Sequence, residues 1–197
     1  MLVYSMLRWE DLDLHAIATL PGLGELERVR DVLGIWEDND DPLQYCLIAG
    51  HNMREKTAFP LDIPNLQKKF GYGRVAGLIS QGHAEHTGDQ ASWLADRIQE
   101  LKLRNLGHFA PQYHLLRSWR TLIKEVVFRR GVWIPIYPLP IMASPFVIIP
   151  EYQPEDQIAK WQMIPGELER IRRYEAEGFI TTFEETMQYI EWLWQNR

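Results

Sequence analysis

His114 and Arg117 stand three residues apart in "GHFAPQYHLLRSW" (107–119), where an apolar run gives way to a helical pattern. Residues at i and i+3 of a helix share a face. In a first turn they also lie beside backbone N–H groups that lack intrahelical partners, a setting that favours an anion. Arginine grips a phosphate or carboxylate at two points, and histidine donates a hydrogen bond or moves a proton. Two readings follow. The pair is either the polar edge of an ordinary helix, or one wall of an anion site with Tyr113 beside it and His114 as its acid/base.

Other polar residues fall at the ends of predicted strands. "PGLGE" (21–25) places Gly22 and Gly24 in a turn that leads into a helix, so its backbone N–H groups suit a phosphate or carboxylate. It is neither G-x-G-x-x-G nor a P-loop, and a simple tight turn is the plainer explanation. "LIAGHN" ends the next strand with Gly50 and His51. "HAEHTGDQ" (83–90) then supplies His83, His86, Thr87 and Gln90. Histidines 51, 83, 86 and 114 are expected on one rim, which suggests proton transfer or a metal. "HAEH" lacks the H-E-x-x-H spacing of a helical zinc site, so a metal-assisted hydrolase stands as an alternative, and no metal ligand is assigned. The single cysteine, Cys46, has no partner for an internal disulfide and reads as a small buried hydrophobe in "LQYCLIAG".

The elements that must position these residues alternate. Strands are expected at 14–22, 43–51, 74–80, 106–110 and 132–140; the prolines of the last argue for an edge position. Helices are expected between them. Leu26, Val29, Val32 and Leu33 mark one, residues 63–71 a short second. Ala91, Leu94, Ala95, Ile98 and Leu101 mark a third, with Thr87 and Gln90 as its T-x-x-Q capping box. Leu115, Trp119, Leu122 and Val126 mark a fourth. The alternation implies an α/β fold, a three-layer sandwich with a mostly parallel sheet whose ligands bind at the strand C-termini. Residues 1–149 form that unit. Residues 150–197 read as a helical extension packed on it. "ELERIRRYEAE" is expected to be a solvated helix. A last helix opens with a Thr182/Glu185 capping box and carries an apolar stripe of Phe183, Met187, Ile190 and Trp194.

The net charge of -6 and the lack of a basic run leave nucleic acid a poor partner. No run reaches the ~18 apolar residues of a membrane span. The opening "MLVYSMLRWEDLDL" turns acidic too early for a secretory signal, so a cytoplasmic location is expected. The tail "YIEWLWQ" allows a further alternative, a non-catalytic interaction protein that uses the Trp-rich tail as its contact face.

The order of these motifs resembles the YdcF/SanA-like proteins, also known as domain of unknown function 218. "ATLPGLG", "LIAGH", "HTGDQA" and above all "YHLLR" stand where that family has a Gly-rich turn, Ser-Gly-Gly, Thr-x-x-Asn-Ala and Tyr-His-x-x-Arg. The likeness covers roughly residues 14–140. It departs at His51 for the second glycine, at Gln90 for asparagine, at "APQ" before Tyr113, and at the family's acidic residue, for which Glu55 is a loose counterpart. The resemblance implies a Rossmann-like fold. It also implies an anionic ligand, nucleotide-like or S-adenosylmethionine-like, held by Gly22, Gly50, Thr87, Gln90, His114 and Arg117. Hydrolysis or transfer of a phosphorus-containing group is the chemistry such a site would perform.

Overall fold

The computed structural model describes residues 12–22, 26–39, 43–50, 59–141 and 159–196. Five strands, β1 (Ala16–Thr19), β2 (Tyr45–Ile48), β3 (Leu78–Ser80), β4 (Leu106–Pro111) and β5 (Ile136–Ile141), form one sheet in the order β3-β2-β1-β4-β5. Every pairing is parallel, so the sheet is fully parallel rather than mostly so. The order reverses between β1 and β4, which is the switch point of a Rossmann-like α/β fold.

The helices cover both faces of the sheet. On one face lie α1 (Leu26–Asp38) and α2 (Ile63–Phe70). Their Val29, Val32, Leu33, Trp36 and Leu66 close over Ile17, Cys46, Ile48 and Phe109. On the other lie α3 (Thr87–Glu100) and α4 (Gln112–Ile123). Ala91, Leu94, Ile98, Trp119 and Leu122 pack there on Ala16, Ala18, Leu47 and Leu106. Each large aliphatic side chain buried this way contributes about 1.5–3 kcal/mol. Strands covered on both faces lose the polar alternation, and all four residues of β1 are buried. Cys46 is fully buried and burial pushes its thiol pKa well up, so it packs as a hydrophobe. Pro138 and Pro140 lie in β5, an edge strand as the prolines require.

Local signals set the ends. Asp62 caps α2 by accepting the Asn65 N–H at 3.0 Å, and Gly71, at φ 75°, closes it in the left-handed conformation. The expected Thr87/Gln90 capping box does not form. His86 is the N-cap of α3 and accepts the Asp89 N–H on Nδ1 at 3.2 Å, while Gln90 turns inward. β4 passes into α4 with no loop residue between Pro111 and Gln112. After α4 the chain widens into a π-helical stretch, Lys124–Arg129, whose Glu125 pairs with Arg129 and Arg130.

A 3-10 turn, Lys160–Met163, leads into α5 (Ile164–Ala176), and α6 (Phe183–Gln195) follows. The Thr182/Glu185 capping box is present. The apolar face of α6 is not the expected one. Phe183 and Trp194 are each 66% exposed and Met187 is exposed as well, whereas Thr186 and Tyr189 are the buried residues. Tyr189 stacks among Trp119, Trp133 and Trp192. That aromatic packing rotates the helix, turning Phe183, Met187 and Trp194 outward while Ile190 of the expected stripe packs half-buried against the core. Among the described residues no helix is long and apolar enough to cross a membrane.

Candidate anion site at the switch point

A cavity of about 180 Å3 opens at the C-terminal end of the sheet, between the turns that follow β1, β3 and β4. Pro21 and Gly22 come from the first turn, and Ala84 to Thr87 from the third. Tyr113, His114 and Arg117 come from the first turns of α4. The loop-free β4–α4 junction fixes these last three. No side chain caps α4, so its first N–H groups end at the sheet rim.

Arg117 is already engaged. Its Nε donates to Glu167 Oε2 at 2.6 Å and its Nη2 to Oε1 at 3.2 Å, a two-point grip on a carboxylate. Nη2 also reaches His114 Nδ1 at 3.0 Å, and Nη1 reaches Thr87 Oγ1 at 3.4 Å. Arg170 Nη1 donates to Glu167 Oε1 at 2.8 Å. Glu167 belongs to α5, in the run expected to be solvated, yet it is 3% exposed. Burial would raise its carboxyl pKa; the hydrogen bonds and charges on its His114–Arg117 side hold it instead well below the usual carboxylate range. The Arg117 fork is the part of that stabilisation with short geometry behind it.

His114 is buried, and burial first, then the Arg117 charge, pushes its pKa down to about 4. The ring is therefore neutral near pH 7. Since Nδ1 receives the Arg117 guanidinium, the proton sits on Nε2. A second histidine, His108, lies beneath α4 with Nε2 at 2.8 Å from Ser118 Oγ. Burial lowers its pKa to about 3.

The remaining polar residues divide between lining and framework. Arg28, 3% exposed, donates to the Leu20 carbonyl at 2.6 Å and lies 3.5 Å from the Tyr113 hydroxyl. Gln90 Nε2 bridges the carbonyls of Pro21 and Gly50, each at 2.5 Å, and so ties the ends of β1 and β2 together. Gly50 does not line the cavity. A Cβ there would stand 2.5 Å from the His83 carbonyl carbon, so the glycine admits the close approach of a neighbouring backbone. At Gly22 a Cβ would meet nothing within 4 Å.

Of the residues the sequence singled out, Gly22, Thr87, Gln90, Tyr113, His114 and Arg117 come together around the cavity. Gly24, His51 and Glu55 lie outside the described residues. His86 lines the rim as a helix cap, and no group of three His, Cys, Asp or Glu placed to hold a metal occurs among the described residues. Sequence reasoning missed Arg28, Glu167 and Arg170. Arg28 left a signal, a cation on the stripe that holds Val29, Val32, Leu33 and Trp36. Glu167 left none, because it flanks the apolar Ile164 and Leu168, which face outward.

Three arginines against Glu85 and Glu167 give the lining an excess of positive charge. The site can hold an anion and present a neutral Nε2–H and a phenol to it. The fold class is thus a Rossmann-like α/β protein with a cationic cavity at its switch point. Comparison with protein-family models, curated proteins and solved structures finds no match.

Proposed function

We propose that this protein binds a small anionic, nucleotide-like molecule by its charged end in the switch-point cavity. The observation that carries the reading is the convergence of Arg28, Arg117 and Arg170 with His114 and Tyr113 on a cavity of about 180 Å3 at the strand C-termini. That volume is below the ~300 Å3 at which pockets for whole drug-sized ligands begin. It suits a phosphate or carboxylate group, with the rest of the ligand over the rim. The YdcF/SanA-like motifs support the same location. In a reaction that transfers or hydrolyses a phosphorus-containing group, His114 starts neutral and offers its Nε2–H to the phosphoryl oxygens, with Tyr113 and the arginines holding the charge.

Thermal-shift titration with nucleoside monophosphates, sugar phosphates and S-adenosylmethionine tests this. Arg117→Ala alone would leave the buried Glu167 carboxylate with Arg170 as its remaining arginine partner and mix lost stability with lost binding. The informative variant is therefore the Arg117→Ala/Glu167→Ala pair. A ligand is expected to stabilise the wild type by several degrees and the folded double variant not at all. Equal shifts in both proteins would remove Arg117 from the site.

The exposed Phe183, Met187 and Trp194 favour a second reading, a protein-interaction role for α6. Light scattering that shows a partner-free monomer with unchanged behaviour after Phe183→Ser/Trp194→Ser would end it.

A further inference from the structure

α5 is fastened to the molecule mainly by charge. Surface helices are usually held by an apolar stripe. Of the 13 residues of α5, the buried one is Glu167. Ile164 and Leu168 are 47% and 52% exposed, and the apolar residues on the Glu167 side, Ile171 and Tyr174, are only half-buried. A further ion pair, Arg120 to Glu175 at 2.8 Å, ties the far end. The Glu167 oxygens occupy the place between Arg117, Arg170 and the His114 ring where a carboxylate or phosphate from outside would sit.

We infer that Glu167 is a built-in occupant of the anion subsite, and that a phosphomonoester dianion displaces it and thereby releases α5. The inference rests on the anion-binding reading above and names both its ligand class and its control. The tether decides the class. A side chain on a docked helix competes at an effective concentration on the order of millimolar or higher. A free monocarboxylate only reproduces what Glu167 already offers, so it loses to the tethered copy. A phosphate dianion brings a second charge and a third oxygen, for which Arg28, in the same cavity, is the additional cation. Once displaced, α5 keeps the half-buried Ile171 and Tyr174 and the Arg120–Glu175 pair, and the buried Met163 and Ile180 at its two ends limit the release to the helix between them.

The experiment is hydrogen–deuterium exchange of the full chain with and without inorganic phosphate, beside calorimetric phosphate titration of wild type and Glu167→Gln. Phosphate is expected to speed exchange of the α5 amides, and Glu167→Gln, which keeps the shape and drops the charge, to bind phosphate about tenfold more tightly. If phosphate binds the wild type but leaves α5 exchange unchanged or slower, the displacement is overturned while the anion site stands. If phosphate binds neither protein, both readings fall. Should Glu167→Gln not fold, the wild-type exchange arm decides alone.

Discussion

Arg117 and His114 take their state from a residue fifty positions further along the chain. Without Glu167 the guanidinium would be a buried lone cation. With it, Arg117 is neutralised and donates to His114 Nδ1, which fixes the proton on the other nitrogen. The two buried rings, His108 and His114, carry a testable cost. Their folded pKa values, about 3 and about 4, lie below the ordinary 6.5. Between pH 6.5 and 4.5 the unfolded chain therefore binds protons that the folded rings refuse, and stability falls as pH falls. The loss runs to at most about 1.4 kcal/mol per pH unit for each ring. Urea unfolding across this window is expected to show the slope, and His108→Gln to flatten it. An unchanged slope would mean that His108 is protonated in the folded protein.

Elements differ in how openly the sequence announces them. Alternating apolar runs and helical stripes gave the five strands, the sheet edge at β5 and the helices α1 to α4, because these signals are local. Cap chemistry was legible at Thr182, whose hydroxyl accepts the Glu185 N–H at 3.1 Å while Glu185 returns to the Thr182 N–H at 2.8 Å. Thr182→Ala should cost about 1 kcal/mol in chemical unfolding; no loss would show that α6 is held by its aromatics alone. The same rule misread α3, where Thr87 and Gln90 have the spacing. There the two strand-end carbonyls, of Pro21 and Gly50, outbid the helix for the Gln90 amide. His114 and Arg117 were legible as a first-turn pair. Their partner was not, since contact with α5 is long-range and Glu167 sits in an ordinary charged run. The outward face of α6 was likewise set by rings from other elements, Trp119 and Trp133, which no window of α6 contains.

At the scale of the molecule, the helices after β5 complete both the sheet and the site. The Tyr189 hydroxyl accepts the Ile136 N–H at 2.7 Å and donates to the Ile134 carbonyl at 2.9 Å, so α6 satisfies backbone groups at the entry to β5. Tyr189→Phe keeps the ring and strands those two buried groups. It should lower stability by about 1–3 kcal/mol, and amide exchange at Ile136 should rise with it; a silent variant would mean that water replaces the hydroxyl. The fifty-residue separation of Arg117 and Glu167 has a further consequence during synthesis. At ribosomal speeds of about 5–20 residues per second, roughly 3–10 s pass between the making of the two residues. Through that interval the nascent chain carries Arg28 and Arg117 without the carboxylate that later pairs with Arg117. Under the proposed function, Glu167 thus reaches Arg117 only after that delay, and the order in which the chain is made sets when the internal carboxylate begins to compete.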